Sequence, residues 1–185
     1  MNKVRLAAWS KIIGTVFLLV SFIFLVLSVF SGWGTNANLS YLFLRYFFMF
    51  FVVTLFFNIF FLYGFLLIGK KFSNKLLYYT SLIEILYSIV AVIGIIIFYS
   101  LSLVINSGII VLGFQILLYS VLLEVIFEIL FGIGLIKLGD DVDLAKITGI
   151  FVLVGIVIPI VFPVILVLEL MILFKTAKLF DNIKI

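Results

Sequence analysis

Residues 147–174 read ITGIFVLVGIVIPIVFPVILVLELMILF, an apolar run that carries one charge, Glu169, and two prolines, Pro159 and Pro163. How this run is read decides the fold. A spanning helix takes about 20 apolar residues, with a range of roughly 17–25 and more when it tilts, so the run is long enough for one complete crossing. Each proline removes a backbone donor and kinks a helix, and the i, i+4 spacing of the pair allows a second reading, two short arms meeting in a re-entrant or sixth-span hairpin. Against the hairpin, Ile160-Val161-Phe162 between the prolines is no polar turn, and arms of about 11–15 residues reach only ~17–23 Å at 1.5 Å per residue. The sequence therefore favours one kinked span, with six spans, or five and a re-entrant hairpin at Pro159/Pro163, as the alternatives.

Four earlier runs have the same character: Ile12–Phe30, Leu42–Gly69, Leu76–Ile105 and Ile109–Ile136. They are continuous rather than alternating, and lipid requires each segment to satisfy its own backbone hydrogen bonds, so strands are excluded. The expectation is an all-α polytopic transmembrane bundle of five spans. Composition agrees, since 67% of the 185 residues are hydrophobic and mean hydropathy is +1.53, against roughly 45–50% apolar usage in soluble domains. Charged residues make up 11% and gather between the runs, leaving no stretch for a soluble domain. Residues 1–185 read as a single integral membrane domain. The opening MNKVRLAAWSK has the basic flank of a signal sequence but no A-x-A-like site follows its apolar run, so an uncleaved first span is expected.

Basic residues give an orientation. Lys3, Arg5 and Lys11 precede the first run, Lys70, Lys71 and Lys75 separate the second and third, and Lys137 and Lys146 flank the fourth connection. These regions read as cytoplasmic, the N-terminus included. The alternate connections fit: Ser31–Ser40 is uncharged and carries Trp33, and Asn106-Ser107-Gly108 is short and neutral. A single fifth span breaks the rule, because it places Lys175, Lys178 and Lys184 outside, in an interfacial tail from Thr176 to Ile185.

With neither Cys nor His, the chain has no disulfide, thiolate nucleophile, imidazole base or usual zinc ligand. No cofactor and no enzymatic activity are expected. The formal charge of +4 comes from juxtamembrane Lys and Arg, which report orientation and attraction to anionic lipid rather than nucleic acid. The partners expected are the bilayer and, in a homo- or hetero-oligomer, other membrane subunits.

All four Glu, Glu84, Glu124, Glu128 and Glu169, lie inside apolar runs, whereas the four Asp lie in the connections or tail. A charge at mid-helix costs about 2.5–3.5 kcal/mol on insertion scales, so such carboxyls face the bundle interior, a partner or water. Glu84 is nine residues after Lys75 and Glu128 nine before Lys137, which puts each ~13 Å in on neighbouring helices. Asn58, twelve before Lys70, and Glu124, thirteen before Lys137, lie ~18–20 Å in. The expectation is a two-layer polar site in which Glu84 meets Glu128 and Asn58 lies level with Glu124. Thr80, Ser81, Tyr87, Ser88 and Ala91 share the Glu84 face, and Gly113 and Ser120 share that of Glu124 and Glu128, the small and hydroxyl residues that close packing in lipid uses. Gly14, Ser21 and Ser28 form a packing stripe on the first span. No basic residue shares the carboxylate layer on this count, so a buried ion pair is not expected there. Glu169 falls near the outer end of a single fifth span, at the depth of Arg45, which makes those two a candidate outer-side pair.

The cluster reads in two ways: a proton or cation site, as in carboxylate relays, or protonated Glu acting as interhelical glue. A forty-residue repeat relates Leu77, Tyr79, Glu84, Ile89 and Gly94 to Leu117, Tyr119, Glu124, Ile129 and Gly134, which in antiparallel neighbours would be an inverted repeat. Gly139-Asp140-Asp141-Val142-Asp143 lacks the twelve-residue calcium-loop pattern and reads as a solvated turn.

Two run endings are alike, Gly64-Phe-Leu-Leu-Ile-Gly69-Lys70-Lys71 and Gly134-Leu-Ile-Lys-Leu-Gly139-Asp140-Asp141. With the Gly- and Pro-punctuated last run, the second half of the chain resembles the small multi-span membrane protein families, mostly archaeal, whose function is unknown. The resemblance implies a helical bundle and a prokaryotic source, and carries over no active residue. The function expected is that of a structural or accessory subunit of a membrane assembly, with a small proton- or cation-coupled transporter or channel subunit as the alternative.

Overall fold

The computed structural model describes residues 2–33, 37–102 and 108–181, the side chains at 33, 37–38, 98–102, 108–122 and 181 excepted. Trp33 as an interface anchor and the 106–108 connection therefore lie outside the described residues. Helices α1 (Lys3–Trp33), α2 (Ala37–Lys71), α3 (Lys75–Ser102), α4 (Gly108–Leu138), α5 (Ala145–Val157) and α6 (Phe162–Asp181) follow one another, with a single 3-10 turn at Pro159–Val161 between the last two. No strand occurs among the described residues. Lys3–Gly32, Leu39–Lys71, Lys75–Ile97 and Pro159–Phe180 are each long and apolar enough to cross a membrane. Helix α5, at 13 residues, is not.

The helices outrun their apolar stretches because the basic flanks are helical too and are capped there. Asn2 Oδ1 accepts the Val4 amide at 2.9 Å, opening α1. At the α2–α3 turn Ser73 adopts a left-handed φ of 55°, and the Asn74 amide reaches back to Gly69 O at 2.9 Å, the closing bond of a Schellman motif. Asn74 then caps α3 through Oδ1, which accepts from the Leu77 amide at 3.0 Å. Its Nδ2 donates to Gly134 O of α4 at 2.8 Å. One residue, through its backbone amide and its side chain, thus ties three helices at their lysine-bearing ends.

The core is concentrated at that basic end, where Val4, Phe65, Ile68, Leu77, Leu135, Leu138, Ile172 and Leu173 are fully buried. Small residues allow the approach. A Cβ on Gly64 would strike that of Ala7, one on Gly149 would strike Gly132 O, and one on Gly69 would come within 2.7 Å of Tyr78 N. Farther along, α1 and α2 zip through aromatic rings, Phe17 against Phe50 and Phe57 and Phe24 against Phe43, Tyr46 and Phe50. Ser28 and Ser40 exchange hydrogen bonds of 2.9 Å with each other's backbone carbonyls.

Residues 147–174 do not form one kinked helix. Gly155 packs on Ile165, whose Cδ1 lies 2.6 Å from where a Cβ would be, and twelve residues earlier Asp143 is ion-paired with Lys175. The contacts step forward along α5 and back along α6, so the two helices form an antiparallel hairpin. The prolines explain it. Ile158, preceding Pro159, leaves the helical region at φ −123°, ψ 85°, and Pro163 is the second residue of α6, where an amide proton has no intrahelical partner. The absence of a polar turn is no obstacle, because the tip exposes Val157, Ile158, Ile160 and Phe162, an apolar surface suited to hydrocarbon.

The reversal returns α6 to the basic end. Asn2 Nδ2 donates to Ala177 O at 2.9 Å and Lys71 Nζ to Leu179 O at 3.2 Å. Residues from Thr176 to Asp181 continue α6, with Thr176 and Ala177 fully buried; the rest of the expected interfacial tail lies outside the described residues.

Candidate functional site

Lys11 Nζ of α1 lies 3.1 Å from Glu169 Oε2 of α6, with the Glu169 side chain 6% exposed and that of Lys11 26%. The ammonium also sits 3.8 Å from the centroid of the Phe61 ring on α2, a cation–π contact. Phe61 is itself packed edge-on to Phe65, and Phe65 to Phe131 of α4. The cation is therefore seated on an aromatic column that crosses the bundle. Glu169 does not meet Arg45. Arg45 is exposed on the far half of α2, and the hairpin carries Glu169 back toward the basic end, where Lys11 is its partner.

Lys11 occupies the bundle because α1 runs unbroken from Lys3, so eight residues of helix place it ~12 Å in. A basic residue does share the carboxylate layer, contrary to the sequence count. The missed signal is that Lys11 already stands inside apolar sequence, behind Leu6-Ala7-Ala8-Trp9.

Helices α3 and α4 are placed by two contacts. Near the basic end, Leu77 Cα lies 3.1 Å from where a Gly134 Cβ would be. Deeper, the Tyr87 and Phe127 rings are 5.6 Å apart. Between these points Glu84 falls level with the turn Phe127–Leu130, which carries Glu128. On the Glu84 face Thr80, Ser81 and Ser88 are buried, and Ser81 Oγ has no hydrogen-bond partner among the described residues. From the contact of Gly69 with Tyr78, equal steps along α2 and α3 bring Asn58 level with Ile89. Equal steps from Tyr87 and Phe127 bring Glu124 level with Val90. Asn58 is half-buried and makes no hydrogen bond among the described residues.

Electrostatics joins the two groups. Glu84 is within reach of the charges on Glu128, Glu124, Lys11 and Glu169, Glu128 within reach of Glu169, Lys11 and Glu124, and Glu124 within reach of Lys11. Lys11 touches Glu169 alone among them, and its charge also bears on Glu84, Glu124 and Glu128. Glu84 and Glu128 are half-buried, whereas Glu124 is exposed on the outer side of α4 beside Leu123, Val125 and Ile126. Among the described residues no three acidic side chains converge closely enough to hold a metal ion.

The forty-residue repeat is not matched in packing where it can be compared: Gly134 is pressed against Leu77, while Gly94 has nothing within 4 Å. Leu117 and Tyr119 lie outside the described side chains. The acidic cluster 139–143 is a turn in which Asp143 pairs with Lys175.

No protein-family model matches this chain, and no curated protein or solved structure shows significant similarity to it.

Proposed function

We propose that this chain is a non-enzymatic, multi-pass protein of the cell membrane whose carboxylate layer takes up and releases protons or small monovalent cations, as a small transporter or channel subunit. The observation that carries this reading is the Lys11–Glu169 pair, 3.1 Å apart on α1 and α6, at about the depth where Glu84 and Glu128 stand on α3 and α4. Lys11 neutralises Glu169, which leaves three carboxyls in an apolar surrounding. An ionised carboxyl there costs about 2.5–3.5 kcal/mol, so each is held with a proton or a cation. Interhelical glue needs one such group, not three.

In the topology that accompanies this reading, α1 to α4 span the membrane and the α5–α6 hairpin enters from the cytoplasmic face. Helix α5 has 13 residues, about 20 Å, too short for a core of about 30 Å. This arrangement puts Lys175 and Lys178 with Lys3, Arg5, Lys70, Lys71, Lys75, Lys137 and Lys146 on the cytoplasmic side, as the positive-inside rule requires.

The test is ion flux into vesicles reconstituted with purified protein under a pH or monovalent-cation gradient. Flux that Glu84→Gln, Glu124→Gln and Glu128→Gln together abolish supports the reading. Undiminished flux in the triple variant, or none in the wild type, sinks it. A second reading, a structural or accessory subunit of a homo- or hetero-oligomer, is favoured by the exposure of Glu124, since a carboxyl on the outside of a spanning helix calls for a covering partner. The mass of the complex after gentle detergent extraction tests it, and a monomer bearing only detergent and lipid contradicts it.

A further inference from the structure

We propose that the groove between the α4–α5 turn and α6 binds an anionic phospholipid of the surrounding bilayer. The inference rests on the membrane reading and is independent of the carboxylate layer. The groove has a volume of about 360 Å³ and is lined by Leu144, Met171, Phe174, Lys175 and Lys178. Three apolar walls and two ammonium groups at one end match the two halves of a phospholipid.

The arrangement follows from helical periodicity. Met171, Phe174, Lys175 and Lys178 stand at i, i+3, i+4 and i+7 on one face of α6. The same stripe continues away from the basic end through Val167 and Val164, all three of Val164, Val167 and Met171 being exposed. An acyl chain lying along Val164, Val167 and Met171 brings its head group to Lys175 and Lys178. Leu144 closes the opposite wall from a left-handed φ of 71°, a conformation strained for a branched side chain and favoured by Gly or Asn. Trp9 of α1, itself exposed, packs edge-on to Phe174 with centroids 6.2 Å apart. A half-exposed Trp there marks the level where head groups meet acyl chains.

Charge selects the lipid. Asp143 holds Lys175, and so fixes one ammonium at the rim. Lys178 is exposed and has no ion-pair partner among the described residues. Lys71 packs on the Phe180 ring one turn away, so the α6 side of the groove is basic, the setting in which anionic head groups gather, while the turn opposite carries Asp140, Asp141 and Asp143. A phosphate diester with net negative charge, as in phosphatidylglycerol, pairs with Lys178 and adds to the Asp143 contact of Lys175, whereas the choline of phosphatidylcholine opposes both lysines.

The experiment uses the full-length protein in nanodiscs of phosphatidylcholine titrated with phosphatidylglycerol, with retained lipid counted by native mass spectrometry. The expected result is preferential retention of phosphatidylglycerol, falling about thirtyfold in Lys175→Gln/Lys178→Gln, as loss of two cations near an anionic surface implies. Met171→Trp, which fills the acyl track and leaves both charges, is expected to lower retention of the bound lipid as well. Lys75→Gln, which removes an exposed lysine of the same end outside the groove, is expected to change nothing. Equal retention of the two lipids overturns the proposal. So does a loss in Lys75→Gln equal to that of the double variant, which would mean diffuse charge rather than a site. Competition by millimolar inorganic phosphate also overturns it, because the site would then take a soluble anion. Unchanged circular dichroism in the variants verifies that the loss is not one of folding.

Discussion

Lys11, on the first helix, and Glu169, on the last, are 3.1 Å apart, and the pair ties α1 to the returning arm of the hairpin inside the bundle. Removing one member of a fully buried pair is destabilising by roughly 3–5 kcal/mol, because the other charge is left unmatched. Lys11 keeps about a quarter of its side-chain exposure, so Lys11→Met is expected to lose about 1–3 kcal/mol. Lys11→Met/Glu169→Leu should recover most of that loss, since two apolar groups replace the pair. Thermal unfolding in detergent of the two single variants and the double variant measures the coupling, and additive losses would show that the pair is not coupled.

Glycine positions separate contact from composition. At Gly149 a Cβ would strike Gly132 O and lie 2.8 Å from Ile136 N, whereas Gly94 has nothing within 4 Å. Gly149→Ala is expected to destabilise by about 1–3 kcal/mol through overpacking against backbone. Gly94→Ala is expected to stabilise by about 0.5–1 kcal/mol, the difference in helix propensity. Melting temperatures moving in opposite directions verify both, and a shared direction contradicts the α4–α5 packing.

What the sequence made legible was whatever depends on counting along one helix. Continuous apolar runs require helices in lipid, and nine residues from Lys75 to Glu84 or from Glu128 to Lys137 give a depth that packing need only accommodate. What it hid depends on where a helix ends. Pro159 and Pro163 allow both readings, and one kinked span puts Glu169 level with Arg45 instead of Lys11, a displacement of sixteen residues of α2 from Phe61, ~24 Å. Two features of the sequence oppose the hairpin, short arms and the lack of a polar turn, but a tip that exposes Ile160 and Phe162 needs no polar turn in hydrocarbon, and arms that return to one end need not reach across it. Lys11 was hidden for a related reason. A lysine near an apolar run reads as its boundary, but α1 begins at Lys3 and carries Lys11 inward, where Glu169 and the Phe61 ring receive it.

Asn74 joins three helices, accepting the Leu77 amide at 3.0 Å and donating to Gly134 O at 2.8 Å. Asn74→Ala removes a helix cap and a bond to a packed carbonyl, an expected loss of about 2 kcal/mol. Asn74→Asp keeps the cap acceptor, with favourable charge at the start of α3, and loses only the donor, so about half that effect is expected. Equal losses in the two variants would assign the role to the bond to Gly134 O alone, and no loss in Asn74→Asp would assign it to the cap.

The hairpin has a pH-sensitive clasp. A hydrogen bond from Lys175, reinforced by its charge, holds the Asp143 carboxyl below the ordinary Asp range. A depressed native value means the unfolded chain binds the proton first on acidification. The clasp therefore contributes fully above the ordinary Asp range and is lost as pH falls through the lowered native value. Thermal scans from neutral pH down to about pH 2, which brackets the ordinary Asp value near 3.9, should show an acid-side decline that Asp143→Asn reduces. An identical decline in the variant would assign the acid response to other carboxyls.

The return of α6 has a consequence for sidedness that the absence of Cys makes simple to measure, because every introduced thiol is the only one. Asn2 donates to Ala177 O and Lys71 to Leu179 O, so the start of α1 and the end of α6 lie together. Lys3→Cys and Lys178→Cys should both react with an impermeant maleimide from the same face of a sealed vesicle. Ser31→Cys, at the other end of α1, should react from the opposite face. A single kinked span would instead place position 178 with position 31. Labelling of 178 from the face that labels 31 would therefore overturn the hairpin, and with it the seat of Glu169 beside Lys11 and the groove at Lys175 and Lys178.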